Sequence, residues 1–280
     1  MISRRNVWRA ATPKLGDVET SMAKTNNGDQ KPLAGKTAIV TGSGRNIGRA
    51  IALHFARAGA HVIVNGHRNQ AAIDEVVREI RSVGGKALAC LADVGDPEAV
   101  RTMVKTAEDA FGQVHIAVSN VAARRHRAFL EMNLDDWNAT INTNLNSAFY
   151  LAQAVLPTMQ TAKWGRIIHI SGEDAFAANL PGRAVNIVAK AGMHALSKAL
   201  ATEFAEDGIT VNTISPGYID TERDWSKYPE NPASARIAQI PMRRLGRVDD
   251  IATACVYLAA DSGSFITGQV LHVNGGQFMY

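Results

Sequence analysis

Short apolar runs alternate along the chain with longer segments in which apolar residues recur every three or four positions. In the stretch 69–83, Ile73, Val76, Val77 and Ile80 form a helical stripe, and glycines at 84 and 85 then end the helix. Runs of consecutive apolar residues separated by such helices are typical of parallel strands that are buried on both faces. The pattern predicts an α/β fold: a single doubly wound parallel sheet of about seven strands, with helices on both faces.

Seven apolar segments are the predicted strands, at residues 36–41, 61–65, 86–94, 114–119, 166–171, 209–214 and 269–273. Asp96 and Pro97 open the helix after the third strand, as an N-cap and a first-turn proline. Two long segments rich in alanine and leucine, 135–159 and 185–205, are also predicted to be helices. Ligands of such sheets bind at the carboxyl ends of the strands. The residues expected to share that cleft are Asn120, Ser171, Pro216 and Gly217.

The first strand runs into a glycine-rich turn at 41–48, and a helical pattern follows it to Gly59. Gly42 and Gly44 allow the backbone to turn tightly and approach a ligand, and Gly48 allows the helix to pack against the strand. The N-terminus of that helix offers unpaired N–H groups and a partial positive charge to a pyrophosphate. The pattern therefore predicts a Rossmann-type dinucleotide site formed by Gly42, Ser43, Gly44, Arg45, Asn46, Ile47 and Gly48.

The end of the second strand indicates which dinucleotide binds. An acidic residue there would bind the ribose 2′-hydroxyl of NAD, but Gly66, His67 and Arg68 follow the strand. Arg45, Arg68 and His67 place positive charge where the 2′-phosphate of NADP would lie, and arginine binds phosphate through paired N–H groups. NADP is therefore predicted and NAD is less favoured. The alternative is that both arginines are solvated surface charges.

Composition narrows the class of protein further. The chain has 280 residues, of which 46% are hydrophobic, enough for one large domain with a sizeable core. The formal charge of +4 lies mainly near the N-terminus, so it gives little support for nucleic-acid binding. No apolar run reaches membrane-spanning length, and Cys90 and Cys255 have neither metal-like nor disulfide-like spacing. We therefore predict a cytoplasmic protein that acts on a small molecule, without a nucleic-acid or membrane partner.

Several segments after residue 33 carry motifs in a characteristic order, at 41–48, 93–94, 119–122, 216–221, 244–246, 266–269 and 274–276. With these motifs the chain resembles the short-chain dehydrogenase/reductase family, whose turn reads Thr-Gly-x-x-x-Gly-x-Gly. Asn46 takes the place of the middle glycine. The resemblance implies that Asp93 and Val94 lie around the adenine and that Thr221 touches the nicotinamide carboxamide. The other cofactor contacts expected outside the turn are Asn120, Ala122, Lys190, Pro216, Gly217 and Ile219.

The resemblance also implies four catalytic side chains: an asparagine, a serine, a proton-transferring tyrosine, and a lysine that lowers the pKa of the tyrosine and binds the nicotinamide ribose. Asn144 and Lys190 fit the asparagine and the lysine. Asn186, however, stands four residues before Lys190 where the tyrosine is expected, and no tyrosine occurs between positions 150 and 218. Gly172 occupies the serine position, with Ser171 beside it. We therefore predict a divergent member with Asn144, Ser171, Asn186 and Lys190 in its active site.

The missing tyrosine leaves three functions open. An asparagine can hydrogen-bond a carbonyl oxygen but cannot act as an acid near neutral pH. The protein is therefore a nicotinamide oxidoreductase with another acid, an NADP-binding lyase or isomerase in which Asn144, Asn186 and Lys190 polarise a carbonyl, or a catalytically silent binding subunit. An oxidoreductase acting on a carbonyl or alcohol is the leading prediction, because the cofactor site and Lys190 persist.

Glu173 is the main candidate for the missing acid, since a carboxyl shielded from water at this rim would have a raised pKa. The alternative for Glu173 is a solvated loop charge or a helix cap. His194, one helical turn beyond Lys190, is expected to be a packed or interface residue. His126 and the arginines at 124, 125 and 127 form a basic loop that could bind an anionic substrate, although such charge runs are more often solvated.

The remaining segments define the domain organisation. Residues 1–34 lack sustained periodicity and are predicted to be a disordered extension before one domain at 35–280. The irregular, aromatic segment 221–246 is predicted to be a substrate lid. The resemblance implies that helices 135–159 and 185–205 form the contacts between subunits of a homodimer or homotetramer.

Overall fold

Seven parallel strands form one sheet in the computed structural model, which describes residues 31–177, 181–222 and 233–279. The strands are β1 (Thr37–Val40), β2 (His61–Gly66), β3 (Lys86–Leu91), β4 (Ile116–Ser119), β5 (Gly165–Ile170), β6 (Ile209–Pro216) and β7 (Val270–Val273). Their order across the sheet is β3-β2-β1-β4-β5-β6-β7, with every neighbouring pair parallel. The predicted fold class is confirmed.

Helices cover both faces of the sheet. The described helices are α1 (Asn46–Arg57), α2 (Gln70–Ser82), α3 (Pro97–Phe111), α4 (Leu134–Ile141), α5 (Ser147–Ala162), α6 (Ala184–Phe204), α7 (Ala233–Gln239) and α8 (Val248–Ala259). Side chains of successive strand residues point to opposite faces. Ala38 and Val40 of β1 therefore pack with α1, α2 and α8, whereas Ile39 packs with α3, α5 and α6. Burial on both faces explains why the strands read as unbroken apolar runs.

Local signals placed several helix ends correctly. The Asp96 carboxylate accepts a hydrogen bond from the N–H of Glu98 (2.9 Å), with Pro97 in the first turn of α3. Gly84 adopts φ +80 after α2, a left-handed conformation that favours glycine. The compact unit begins at Lys31 rather than at 35, because Leu33 is fully buried in the core. The rest of the predicted extension lies outside the described residues.

The segment 135–159 is not one continuous helix. Helix α4 ends at Ile141, a π-helical turn covers Asn142–Asn146, and α5 begins at Ser147. Asn142 donates from Nδ2 to the carbonyl oxygen of Gly95 (2.8 Å), and Asn144 bonds to the loop after β4. These bonds to neighbouring segments hold the wider turn. Such turns occur frequently at functional sites.

Within the described residues, no helix is long and apolar enough to cross a membrane. The same part of the chain holds no cluster of histidine, cysteine and carboxylate side chains suited to a metal ion. Cys90 and Cys255 are both free thiols.

Candidate active site

Most of the predicted site residues lie at the carboxyl ends of the parallel strands. The turn 42–48 follows β1, and the short segments after the other strands supply single side chains. Asn144 lies in the π-helical turn, and both Asn186 and Lys190 lie on α6. In strand order after β2 to β6, the remaining predicted residues at this edge are His67, Arg68, Asp93, Val94, Asn120, Ala122, Ser171, Glu173, Gly217, Ile219 and Thr221, with Pro216 ending β6.

The glycine turn forms a tight main-chain cradle. A methyl group at Gly48 would lie 2.3 Å from the carbonyl oxygen of Gly42 and 2.6 Å from Nδ2 of Asn120, so only glycine fits there. Gly42 adopts φ +61, again a glycine conformation. Asn120 donates from Nδ2 to the carbonyl oxygens of Thr41 (3.0 Å) and Gly42 (3.2 Å), which ties the turn to the end of β4. The main chain of the turn is therefore held open to close approach by a phosphate.

Asn65, which the sequence analysis did not single out, braces the same turn. Its Oδ1 accepts a hydrogen bond from the N–H of Gly42 (3.1 Å), and its Nδ2 donates to the carbonyl oxygen of Ala92 (3.1 Å). The hydroxyl of Ser43 donates to Val40 (2.7 Å) and accepts from the N–H of Asn65 (3.0 Å). Ser43 and Asn65 are buried and stabilise the turn from the protein side. A polar residue ending a buried apolar strand is the signal that could have found Asn65.

The end of β2 carries positive and no negative side chains. Arg45, His67 and Arg68 are all exposed, so the two guanidinium groups and the imidazole are accessible to a ligand at this rim. Asp93 is the nearby carboxylate: its Oδ2 lies 3.6 Å from Nε2 of His67, and its Oδ1 accepts from the N–H of Gly95 (2.9 Å). The chemistry of this rim fits a phosphate monoester better than a free ribose hydroxyl.

Lys190 is a buried cation beside the end of β5. Its Nζ donates to the carbonyl oxygen of Ile170 (2.8 Å). Burial, with a smaller contribution from the charge of Arg124, lowers the pKa of Lys190 to about 7. The ammonium group is therefore poised to lose or gain a proton near neutral pH, and a neighbouring negative charge would stabilise it.

Asn144 and Asn186 are both engaged by the loop after β4. Asn144 accepts from the N–H of Ala123 (2.7 Å) and donates to the carbonyl oxygen of the same residue (2.8 Å). Asn186 donates to the carbonyl oxygen of Arg125 (2.7 Å), and its Oδ1 lies 3.5 Å from Nδ2 of Asn144. The two amides therefore position this loop. In this structure Nδ2 of each asparagine donates to a main-chain oxygen of that loop.

Glu173 lies in a short 3₁₀ turn, Glu173–Ala175, directly after β5. Burial raises the pKa of its carboxyl to about 7, a hydrogen bond with Asn274 partly opposes that shift, and the charge of Asp174 adds to it. Asp174 itself accepts two hydrogen bonds from Arg183, at 2.9 and 3.0 Å. A carboxyl with a pKa raised this far has the chemistry that a proton donor at neutral pH requires.

Ser171 and His194 form a buried pair at the same edge. The Ser171 hydroxyl lies 2.7 Å from Nε2 of His194. Burial, reinforced by the charge of Lys190, lowers the pKa of His194 to about 4, so the imidazole is neutral at pH 7. The ring of Phe176 lies 4.8 Å from His194 and 5.3 Å from Phe278, which brings the end of the chain onto this wall of the site. The prediction that His194 is a packed residue is confirmed.

The basic loop 124–127 is partly neutralised within the chain. Arg125 and Arg127 both form ion pairs with Asp136, the latter at 3.2 Å. Both arginine side chains are 49% exposed and the Asp136 side chain is 15% exposed, so the two cationic groups lie at the surface. This arrangement favours the solvated alternative for these two arginines.

The predicted lid is described at its two ends only, since residues 223–232 lie outside the described part. Asp220 donates its N–H to Gly246 (2.7 Å), and Gly246 donates its own to Tyr218 (2.9 Å), so the ends of the lid meet. A cavity of about 450 Å³ opens beside them, with Met242, Arg244 and the segment 272–276 in its wall. Lys190 does not line this cavity, but Asn274, which bonds to Glu173, does.

Comparison with known proteins agrees with this geometry. A sequence profile of short-chain dehydrogenases, described as "Enoyl-(Acyl carrier protein) reductase", matches residues 42–277. The chain is a short-chain dehydrogenase/reductase. It therefore belongs to a family of oxidoreductases, as the motifs predict.

Curated relatives and solved structures extend over nearly the whole of this short-chain dehydrogenase/reductase. The 3-oxoacyl-(acyl-carrier-protein) reductase FabG of Pseudomonas aeruginosa is 37% identical over 247 residues, covering 88% of this chain and 99% of the relative. The enzyme of the same name from Escherichia coli is 39% identical over 245 residues, covering 88% and 98%. A crystal structure of a dehydrogenase/reductase from Sinorhizobium meliloti superposes with a TM-score of 0.81 at 31% identity, covering 89% and 98%.

Proposed function

We propose that this short-chain dehydrogenase/reductase uses NADPH to reduce a carbonyl group to an alcohol, with an active site that lacks the customary tyrosine. The observation that carries the proposal is the shared edge: the glycine cradle and the buried Lys190 lie at the carboxyl ends of the same parallel strands. The names of the curated relatives support carbonyl reduction and make 3-oxoacyl thioesters the first substrates to try.

The residues present fit a dinucleotide that carries an extra phosphate. The cradle at Gly42 and Gly48 excludes side-chain atoms and presents main-chain groups to the diphosphate. Arg45 and Arg68 would hold the 2′-phosphate, and Thr221 the carboxamide. When bound, NADPH supplies the hydride.

The chain's own residues would supply the proton and the positioning. Glu173, protonated near neutral pH, would donate its proton to the oxygen of the substrate carbonyl. Lys190 would place a positive charge beside that oxygen as negative charge develops. Asn144 and Asn186 would keep the loop after β4 in place, and Ser171 would hydrogen-bond the substrate with His194 as its partner.

An assay with acetoacetyl-CoA tests the proposal directly. Loss of NADPH absorbance together with formation of 3-hydroxybutyryl-CoA by mass supports carbonyl reduction of this substrate. A wider panel of aldehydes and ketones follows if this thioester is not reduced. Product that forms without NADPH oxidation would instead favour the lyase or isomerase alternative. Dinucleotide binding without any product across the panel would favour a silent binding subunit.

The positive rim predicts a preference between the two dinucleotides. We expect Arg68→Ala to weaken NADPH binding about tenfold, because it removes a charge-assisted hydrogen bond to the 2′-phosphate, and to leave NADH binding unchanged. Fluorescence titration of both dinucleotides measures the effect. Arg101→Ala, which removes an exposed arginine paired with Glu98 on α3, is the matched control. An equal loss of affinity for NADH and NADPH would remove the argument for NADP.

Assembly and location remain part of the proposal. Phe149 on α5 and Val188 on α6 are 45% and 46% exposed, so each of these two long helices offers an apolar side chain to a partner. We propose that these helices form the subunit contacts of a homodimer or homotetramer, to be measured by light scattering. A cytoplasmic location is proposed from the free thiols and is tested by cell fractionation.

A further inference from the structure

Asn46 makes a two-point contact that no glycine could make at this position. Its Oδ1 accepts a hydrogen bond from the N–H of Glu222 (2.9 Å), and its Nδ2 lies 3.3 Å from the carbonyl oxygen of the same residue. Asn46 adopts φ +50, the left-handed region that asparagine tolerates better than most residues with a side chain. The residue thus keeps the backbone shape of the glycine turn while adding an amide that reaches another segment.

The contact between Asn46 and Glu222 joins two segments that follow the carboxyl ends of different strands. Asn46 follows β1 and Glu222 follows β6, and β4 and β5 lie between these two strands. Three strand spacings amount to about 14 Å. The six residues after Pro216 reach at most about 20 Å, so this segment can cross to the turn. Asn120 and Ser171 follow β4 and β5, the two strands that lie between β1 and β6.

The segment that ends at Glu222 is anchored at its other end. Ile219 is buried and forms a β-bridge with Gly246, and Asp220 donates its N–H to Gly246 (2.7 Å). With Asn46 holding Glu222, the segment 219–222 is fixed at both ends. A dinucleotide that runs from the glycine turn towards Lys190 would lie at the same strand ends as this segment.

We propose that Asn46 is a positioning residue that latches the segment 219–222 over the bound dinucleotide and slows its exchange. The proposal rests on the proposed function, since it assumes that the glycine turn holds NADPH. The latch uses the main chain of Glu222, so the Glu222 side chain is dispensable. It adds nothing to the chemistry, so it acts on cofactor retention alone.

The test breaks the latch from each end. We expect Asn46→Gly, which is unstrained at φ +50, to raise the NADPH dissociation rate and the KM for NADPH about three- to tenfold, as loss of one or two exposed hydrogen bonds predicts. The rate at saturating NADPH should not fall. Glu222→Pro removes the donor N–H and should have the same effect, whereas Glu222→Ala keeps it and should match the wild type. Stopped-flow fluorescence measures the dissociation rate.

Amide hydrogen exchange and dinucleotide binding by the wild type distinguish failure of the latch from failure of the proposed function. In the protein without cofactor, amide hydrogen exchange at Glu222 should be faster in Asn46→Gly than in the wild type, with an unchanged melting temperature. A wild-type protein that binds no dinucleotide overturns the proposed function and, with it, the role of the latch. A wild-type protein that binds NADPH, with dissociation unchanged in Asn46→Gly and Glu222→Pro, overturns the latch alone.

Discussion

We expect Glu173→Gln to lower kcat for carbonyl reduction by about two to four orders of magnitude, the usual contribution of a general acid. Glutamine preserves the size and hydrogen-bonding capacity of the side chain but cannot give up a proton. Lys190, the cradle and the positive rim are unchanged, so NADPH affinity should stay within a factor of two or so. Steady-state kinetics with the best substrate and a fluorescence titration of NADPH measure the two quantities.

The pH dependence gives a second reading of the same residue. Since burial raises the pKa of Glu173 to about 7, the wild-type reduction rate should fall as the pH rises through 7 and the carboxyl ionises. The variant should lose the contribution of Glu173 to this step, whereas the contribution of Lys190, whose pKa burial lowers to about 7, should remain. Stability follows the same sign: the folded-state pKa lies above the ordinary 4.5, so wild-type stability should decline between about pH 4.5 and 7 relative to the variant.

A matched control separates catalysis from general effects of charge. Glu203 is an exposed carboxylate on α6 outside the site, and Glu203→Gln should leave kcat and its pH profile unchanged. If Glu173→Gln retains the wild-type rate, Glu173 is not the acid. Lys190, whose pKa also lies near 7, would then be the next candidate.

Gly48→Ala should weaken dinucleotide binding by at least about a hundredfold. The new methyl group would lie 2.3 Å from the carbonyl oxygen of Gly42, so the turn or the start of α1 must move. Overpacking of a buried site of this kind typically costs about 1–3 kcal/mol of stability as well. Isothermal titration with NADPH and thermal unfolding measure the two effects.

A second glycine of the turn provides a graded comparison. A methyl group at Gly44 would lie 3.2 Å from a methyl of Ile73 and 3.4 Å from Ala72, contacts that small side-chain shifts relieve. Gly44→Ala should therefore lose much less affinity and stability than Gly48→Ala. Equal effects of the two substitutions would show that dinucleotide binding does not depend on the close approach between Gly48 and the carbonyl oxygen of Gly42.

The sequence predicts the sheet well, because strands that are buried on both faces consist of continuous apolar runs. It predicts the site less completely, because the decisive contacts join distant segments. Asn186 is visible as a departure from the family pattern, yet its bond to Arg125 depends on a loop 61 positions away. The groups that bond to the side chains of Asn65 and Asn46 are also distant in the chain, 27 and 176 positions away. The periodicity of apolar residues also did not predict the break between α4 and α5, because one wider turn hardly changes the spacing of apolar positions.

The packing of Phe278 against Phe176 has a practical side for recombinant work. Asn274 donates to the carbonyl oxygen of Phe278 (2.7 Å) and also touches Glu173, so the chain's last turn and the proposed acid share a wall. Bulk added beyond Phe278 is therefore expected to disturb that wall. We therefore expect an affinity tag fused at the C-terminus to lower the measured activity.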